Sequence, residues 1–120
     1  MRRGAEAIFC SIPARIGILG NPSDGYNGQC ISSLARNWRS SCVLTPHENR
    51  WDFTIDITCG EESSAYKSMA SLAENPPELS HDGLSRLVLG TLIHFQQECV
   101  ASGLAIEASG FQLKLETVCP

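Results

Sequence analysis

Nine consecutive residues, Gly20 to Gly28 (G-N-P-S-D-G-Y-N-G), are almost all turn formers. Glycine accepts positive φ, proline fixes its own φ, and Asn, Asp and Ser bond to nearby backbone. No helix or strand can run through such a stretch, so the chain must reverse here or form a shaped loop. An apolar run that begins near Ile8 stops at Gly20, and a second runs from Gln29 to Ala35. The loop offers a carboxylate (Asp24), two carboxamides (Asn21, Asn27), a hydroxyl (Ser23) and an aromatic ring (Tyr26). Carboxylates accept hydrogen bonds from sugar hydroxyls, and an aromatic ring covers an apolar sugar face. The mixture therefore suits a polyhydroxylated ligand better than a phosphate. The loop holds no Lys, and its glycines match neither G-x-x-x-x-G-K-[ST] nor G-x-G-x-x-G. A plain tight turn between two strands fits the same spacing, and spacing alone leaves both readings open.

The rest of the pattern predicts an α+β chain with a mixed or antiparallel sheet and two helices. Ala7 to Leu19 reads as a first strand, with Pro13 marking an edge or a bulge. Gln29 to Ala35 and Arg39 to Thr45 read as two further strands, and Pro46 to Arg50 as a turn. The clearest strand is Trp51 to Cys59: Trp51, Phe53, Ile55, Ile57 and Cys59 alternate with Asp52, Thr54, Asp56 and Thr58. Gly60 to Ser64 breaks the sheet pattern. A short helix is predicted over Ala65 to Glu74, ended by Asn75-Pro76-Pro77. Ser80 suits an N-cap with Asp82 beside it, opening an amphipathic helix whose stripe is Leu84, Leu87, Val88, Leu92, Phe95 and Cys99. His94 lies beside that stripe as a partly buried structural residue. Gly103 suits the C′ position, and Phe111, Leu113 and Leu115 alternate as a last strand. A sheet of three or four strands is expected.

At 120 residues the chain is at most one domain. A net charge of −4 argues against a nucleic-acid partner, whose binding rests on clustered Lys and Arg. No apolar segment approaches the roughly 20 residues that span a bilayer, so no membrane partner is expected. Six widely spaced cysteines without C-x-x-C, and no leader-like segment ahead of them, read as reduced thiols in a cytoplasmic protein. The histidines His47, His81 and His94 lack metal-ligand spacing, so no metal site is expected.

The stretch P-A-R-I-G-I-L-G-N-P-S-D-G-Y-N-G, Pro13 to Gly28, resembles the first signature of the GHMP small-molecule kinases. With I-S-S-L-A-R-N-W, Ile31 to Trp38, it is most similar to the glucuronokinase branch, which phosphorylates a uronic acid at the anomeric carbon. Arg15, Gly20 and Asp24 match the galactokinase form of the motif, whereas Asn21 and Pro22 depart from it. The resemblance implies a sugar or uronic acid as ligand, with Asp24 as principal contact, assisted by Arg15, Asn21, Ser23 and Tyr26. It also implies ATP and Mg²⁺ as cofactors of the full-length enzyme. The family holds ATP on a second signature, P-x-x-x-G-L-x-G-S-S-A, which follows a strand similar to Phe111–Thr117. No such motif occurs in the 120 residues. Residues 1–120 are thus expected to be a single partial N-terminal domain, of the ribosomal-protein-like fold, ending just before the phosphate loop. The expected activity of this chain alone is none, with no cofactor bound and no catalytic residue assigned. Its expected partners are the C-terminal portion of the kinase and, through apolar surface left bare, other copies of itself. Phe53, Ile55, Leu113 and Leu115 are expected to include underburied positions. A non-enzymatic interaction or sugar-binding domain built on the kinase scaffold is the alternative.

Overall fold

The computed structural model describes residues 6–20, 22–78, 83–104 and 110–118. They form a five-stranded mixed sheet with two helices. The strands are β1 (Ile8–Leu19), β2 (Ile31–Pro46), β3 (Ile55–Cys59), β4 (Glu62–Tyr66) and β5 (Phe111–Val118), and the helices α1 (Met69–Glu74) and α2 (Leu84–Ala101). The sheet order is β1-β2-β5-β3-β4. All neighbours are antiparallel except β3 and β5, which run parallel with Ile55 beside Phe111. The helical crossover between β3–β4 and β5 makes that parallel pair possible.

The core sits where the helices cover β3 and β5. Ile55, Ile57 and Cys59 alternate in burial with their neighbours, and Leu113, Leu72 and Leu89 close over them. Burial of each large aliphatic side chain contributes about 1.5–3 kcal/mol. Coverage fades across the sheet. In the register row Ile57–Leu113–Leu44–Ile8, exposure rises from 2% and 8% through a half-buried Leu44 to 59% at Ile8. The helices thus shield β3 and β5 and leave the β1 side bare.

Gly110 ties three strands together at one end. Its N–H donates to Asp52 O at 2.6 Å, its carbonyl accepts from His47 N at 3.0 Å, and Phe111 N donates to Thr54 O at 3.0 Å. A Cβ here would collide with the Thr54 carbonyl and come within 2.7 Å of Asp52 O. Only glycine lets β5 enter the sheet at this point.

Several expectations need correction. The predicted strands Gln29–Ala35 and Arg39–Thr45 are one strand, β2, whose register jumps opposite Pro13/Ala14. Pro13 does mark an irregularity on an edge strand, as its missing N–H requires. The strand predicted from Trp51 begins only at Ile55. Two Asx turns occupy the lead-in: Trp51 N donates to Asn49 Oδ1 and Thr54 N to Asp52 Oδ1, both at 3.0 Å. Trp51 and Phe53 are therefore left 73% and 45% exposed. Gly60, with φ 61°, turns the chain into β4, so that part of the predicted Ala65–Glu74 helix is strand. The helix starts at Met69 because Ser68 caps it, its hydroxyl accepting from Ser71 N at 3.0 Å. At α2 the N-cap position is Gly83, not Ser80, and it offers no side-chain cap; Ser80 and Asp82 lie outside the described residues. His94 is exposed rather than partly buried. Five strands replace the expected three or four. Among the four positions singled out, Ile55 and Leu113 are buried, Leu115 is half-buried and Phe53 is exposed. Gly103 takes the C′ position as expected, with φ 69°. Gly103 N donates to Val100 O and Leu104 N to Cys99 O, the paired bonds of a Schellman motif.

Candidate functional site

Beyond Arg39 the sheet formed by the described residues narrows to two strands. β5 ends its pairing at Val118 opposite Arg39, while Ala14–Leu19 continues against Ala35–Ile31 alone. This two-stranded arm carries the turn-rich loop at its tip. Its apolar side chains, Ile16, Ile18, Leu19, Ile31 and Leu34, are all exposed.

The loop is bonded to itself. Ser23 N donates to Gly20 O at 2.5 Å, Gly25 N to Pro22 O at 3.0 Å and Gly28 N to Ser23 O at 2.8 Å. Ser23–Tyr26 forms a single 3₁₀ turn, followed by Asn27 at φ 59°. Two glycines permit this closure. Gly20 has φ 78°, and a Cβ there would strike the Gln29 carbonyl. A Cβ on Gly28 would lie 2.7 Å from Ser23 Cβ and 2.8 Å from Ser23 O. The loop therefore keeps one compact shape that alanine at either position would break.

The structure brings part of the expected site together. Ser23 is half-buried at the start of the 3₁₀ turn, and Tyr26 ends it with its ring 86% exposed. Asp24 supplies backbone to the same turn, while its side chain and all of Asn21 lie outside the described set. Arg15 stands apart. It is exposed on β1 opposite Leu34, five residue steps from Gly20, about 17 Å at roughly 3.3 Å each. Among the described residues its side chain makes no hydrogen bond or ion pair.

The loop's inward bonding also decides what chemistry it can support. A phosphate cradle needs backbone N–H groups aimed outward at the anion. Here the N–H groups of Ser23, Gly25 and Gly28 are taken by loop carbonyls. Those three amides are thus turned toward the loop's own backbone. Among the described residues no three His, Cys, Asp or Glu side chains gather as a metal set, and no helix is long and apolar enough to cross a membrane.

A second polar group lies at the far end of β2, and sequence reasoning passed over it. His47 Nε2 is 3.4 Å from Asp56 Oδ2 and is buried without a hydrogen-bond partner of good geometry. Asp52 lies nearby, its carboxyl held below the usual aspartate range by hydrogen bonds from Thr54 and, more weakly, by His47. The available signal was the N-x-x-D-x-T spacing of two Asx turns. The sixteen residues of β2 separate this group from the loop, so the two are distinct places.

The class defined so far is a mixed α+β domain with a glycine-locked loop at the end of a β arm. No family model matches the chain. Glucuronokinase 1 of Arabidopsis thaliana is 29% identical to it over 107 residues, which cover 89% of this chain and 29% of that protein. The chain thus spans less than a third of that relative's length.

Proposed function

We propose that this chain is a sugar-recognition portion of a GHMP-type, glucuronokinase-like sugar kinase. The carrying observation is the Gly20–Gly28 loop, in which the amides of Ser23, Gly25 and Gly28 bond inward while Tyr26 stands out in solvent. Such a loop is closed to phosphate and open to a ligand recognised by side chains. The similarity to a plant glucuronokinase supports a sugar or uronic acid as that ligand. Asp24 accepts hydrogen bonds from the sugar hydroxyls, Asn21 and Ser23 add neutral polar contacts, and Tyr26 covers an apolar ring face. Arg15 reaches the ligand only if the ligand extends along the arm, as a uronate carboxylate could. ATP and Mg²⁺ belong to the kinase reaction and find no cradle in this loop.

Calorimetric titration of the chain tests this reading. Glucuronate should give saturable heat that Asp24→Asn removes, and Mg²⁺-ATP should give none. Saturable ATP binding, or glucuronate binding indifferent to Asp24→Asn, would contradict it.

A further inference from the structure

Cys10 of β1 lies directly opposite Cys42 of β2 in the antiparallel register. Facing residues in such a pair have Cα atoms about 4.5 or about 5.5 Å apart, according to their place in the ladder. Both separations fall within the 4.4–6.8 Å span that a disulfide bridges. The neighbouring pair shows that side chains here meet across the strands: Ser11 Oγ is 3.1 Å from Ser41 Oγ. Cys10 is exposed, Cys42 is half-buried, and both are free thiols. We propose that Cys10 and Cys42 are a thiol-oxidation site, closing to a reversible cross-strand disulfide at the base of the loop-bearing arm.

The oxidant is a low-molecular-weight disulfide of the glutathione class. The exposed Cys10 thiolate attacks one sulfur of glutathione disulfide, forming a mixed disulfide and releasing one glutathione. Cys42 loses its proton and attacks the Cys10 sulfur, forming the protein disulfide and releasing the second glutathione. Two protein thiols are oxidised and one glutathione disulfide is reduced to two thiols. Burial, with Cys10 and Cys59 nearby, pushes the Cys42 thiol up, which disfavours it as the first attacker. Closure must draw facing Cβ atoms from about 4.5–5.5 Å to about 3.5–4.5 Å, so the bond forms under strain and is readily reduced.

Cys59 and Cys99 do not compete. Cys59 is separated from Cys42 by β5, two strand spacings or about 9.6 Å, beyond disulfide reach. Cys99 is buried on α2.

The test is incubation of the folded chain in glutathione redox buffers, acid quench and peptide mass mapping. A Cys10–Cys42 crosslink within one chain is expected, losing two hydrogens and reversed by reduced glutathione. Cys42→Ser should leave Cys10 as a glutathione adduct, Cys10→Ser should leave Cys42 unmodified, and Cys30→Ser should change neither. Retention of the Cys10 adduct in the unsubstituted chain would overturn the proposal. So would pairing of Cys10 with any other cysteine, or in a second copy, or full resistance of both thiols.

Discussion

Single residues decide the local shapes that matter here. Gly20 and Gly28 let the loop close on itself, and Gly110 lets β5 enter between β2 and β3. The loop glycines were legible in sequence as turn formers. The role of Gly110 was not, because a collision with Thr54 and Asp52 is a contact between distant segments that no local pattern records. Asp52 falls within the strand expected from Trp51 to Cys59 and instead caps the turn before β3. Its folded carboxyl lies below the ordinary aspartate value, chiefly through the Thr54 hydrogen bonds. A carboxyl lowered by folding contributes stability above its unfolded value, about 3.9, and that contribution is lost as pH falls through the folded value. Urea midpoints should therefore be lower for Asp52→Asn than for the parent chain at neutral pH, and the gap should close in strong acid. A gap that persists unchanged in acid would show that the carboxylate charge is irrelevant there.

Elements were legible where burial follows a period. The Ile55–Cys59 and β5 alternations each have a buried side that repeats, whereas the expected α2 stripe is right only at Leu84, Val88, Leu92 and Cys99: Leu87 and Phe95 are exposed, and Leu89, outside the stripe, is buried. β4 was missed because Glu-Ser-Ser-Ala-Tyr is an edge strand with only Tyr66 partly buried, so no apolar period marks it. β2 read as two strands because Arg36-Asn37-Trp38 falls in the register shift opposite Pro13/Ala14. Phase misled at Trp51 and Phe53, which keep the alternation of β3 but sit in Asx turns ahead of it. Within the candidate site the loop was legible. The separation of Arg15 from it was not, since that depends on β1 staying extended as far as Leu19. The arm has its own energetic consequence. An isolated two-stranded ribbon is marginal in water, and Ala14–Leu19 with Ile31–Ala35 is such a ribbon. Amides of the arm should exchange with solvent much faster than those of β3 and β5, by orders of magnitude. Equal protection, measured by hydrogen exchange with mass spectrometry, would mean that something else braces the arm.

At the scale of the molecule, the chain buries one side of its sheet incompletely. The Cα radius of gyration is 17.5 Å, against about 13.6 Å for a compact domain of this length. Ile8, Phe9 and Ile12 on β1 are well exposed, as are Leu87 and Phe95 on α2. Contiguous bare apolar surface beyond a few hundred Å² is rare on monomers. The purified chain should bind a hydrophobic dye and self-associate in sedimentation velocity as concentration rises. A dye-silent monomer at all concentrations would favour the self-sufficient interaction domain over a portion of a kinase.

We propose that the Gly20–Gly28 loop recognises a sugar acid through its side chains and leaves phosphate unbound. Amide spectra of the isotopically labelled chain, titrated with glucuronate, test it residue by residue. Saturable shifts should concentrate between Gly20 and Gly28, with Arg15 following only for the carboxylate-bearing sugar and not for glucose. Shifts centred on His47 and Asp56, or no shifts anywhere at millimolar sugar, would contradict it.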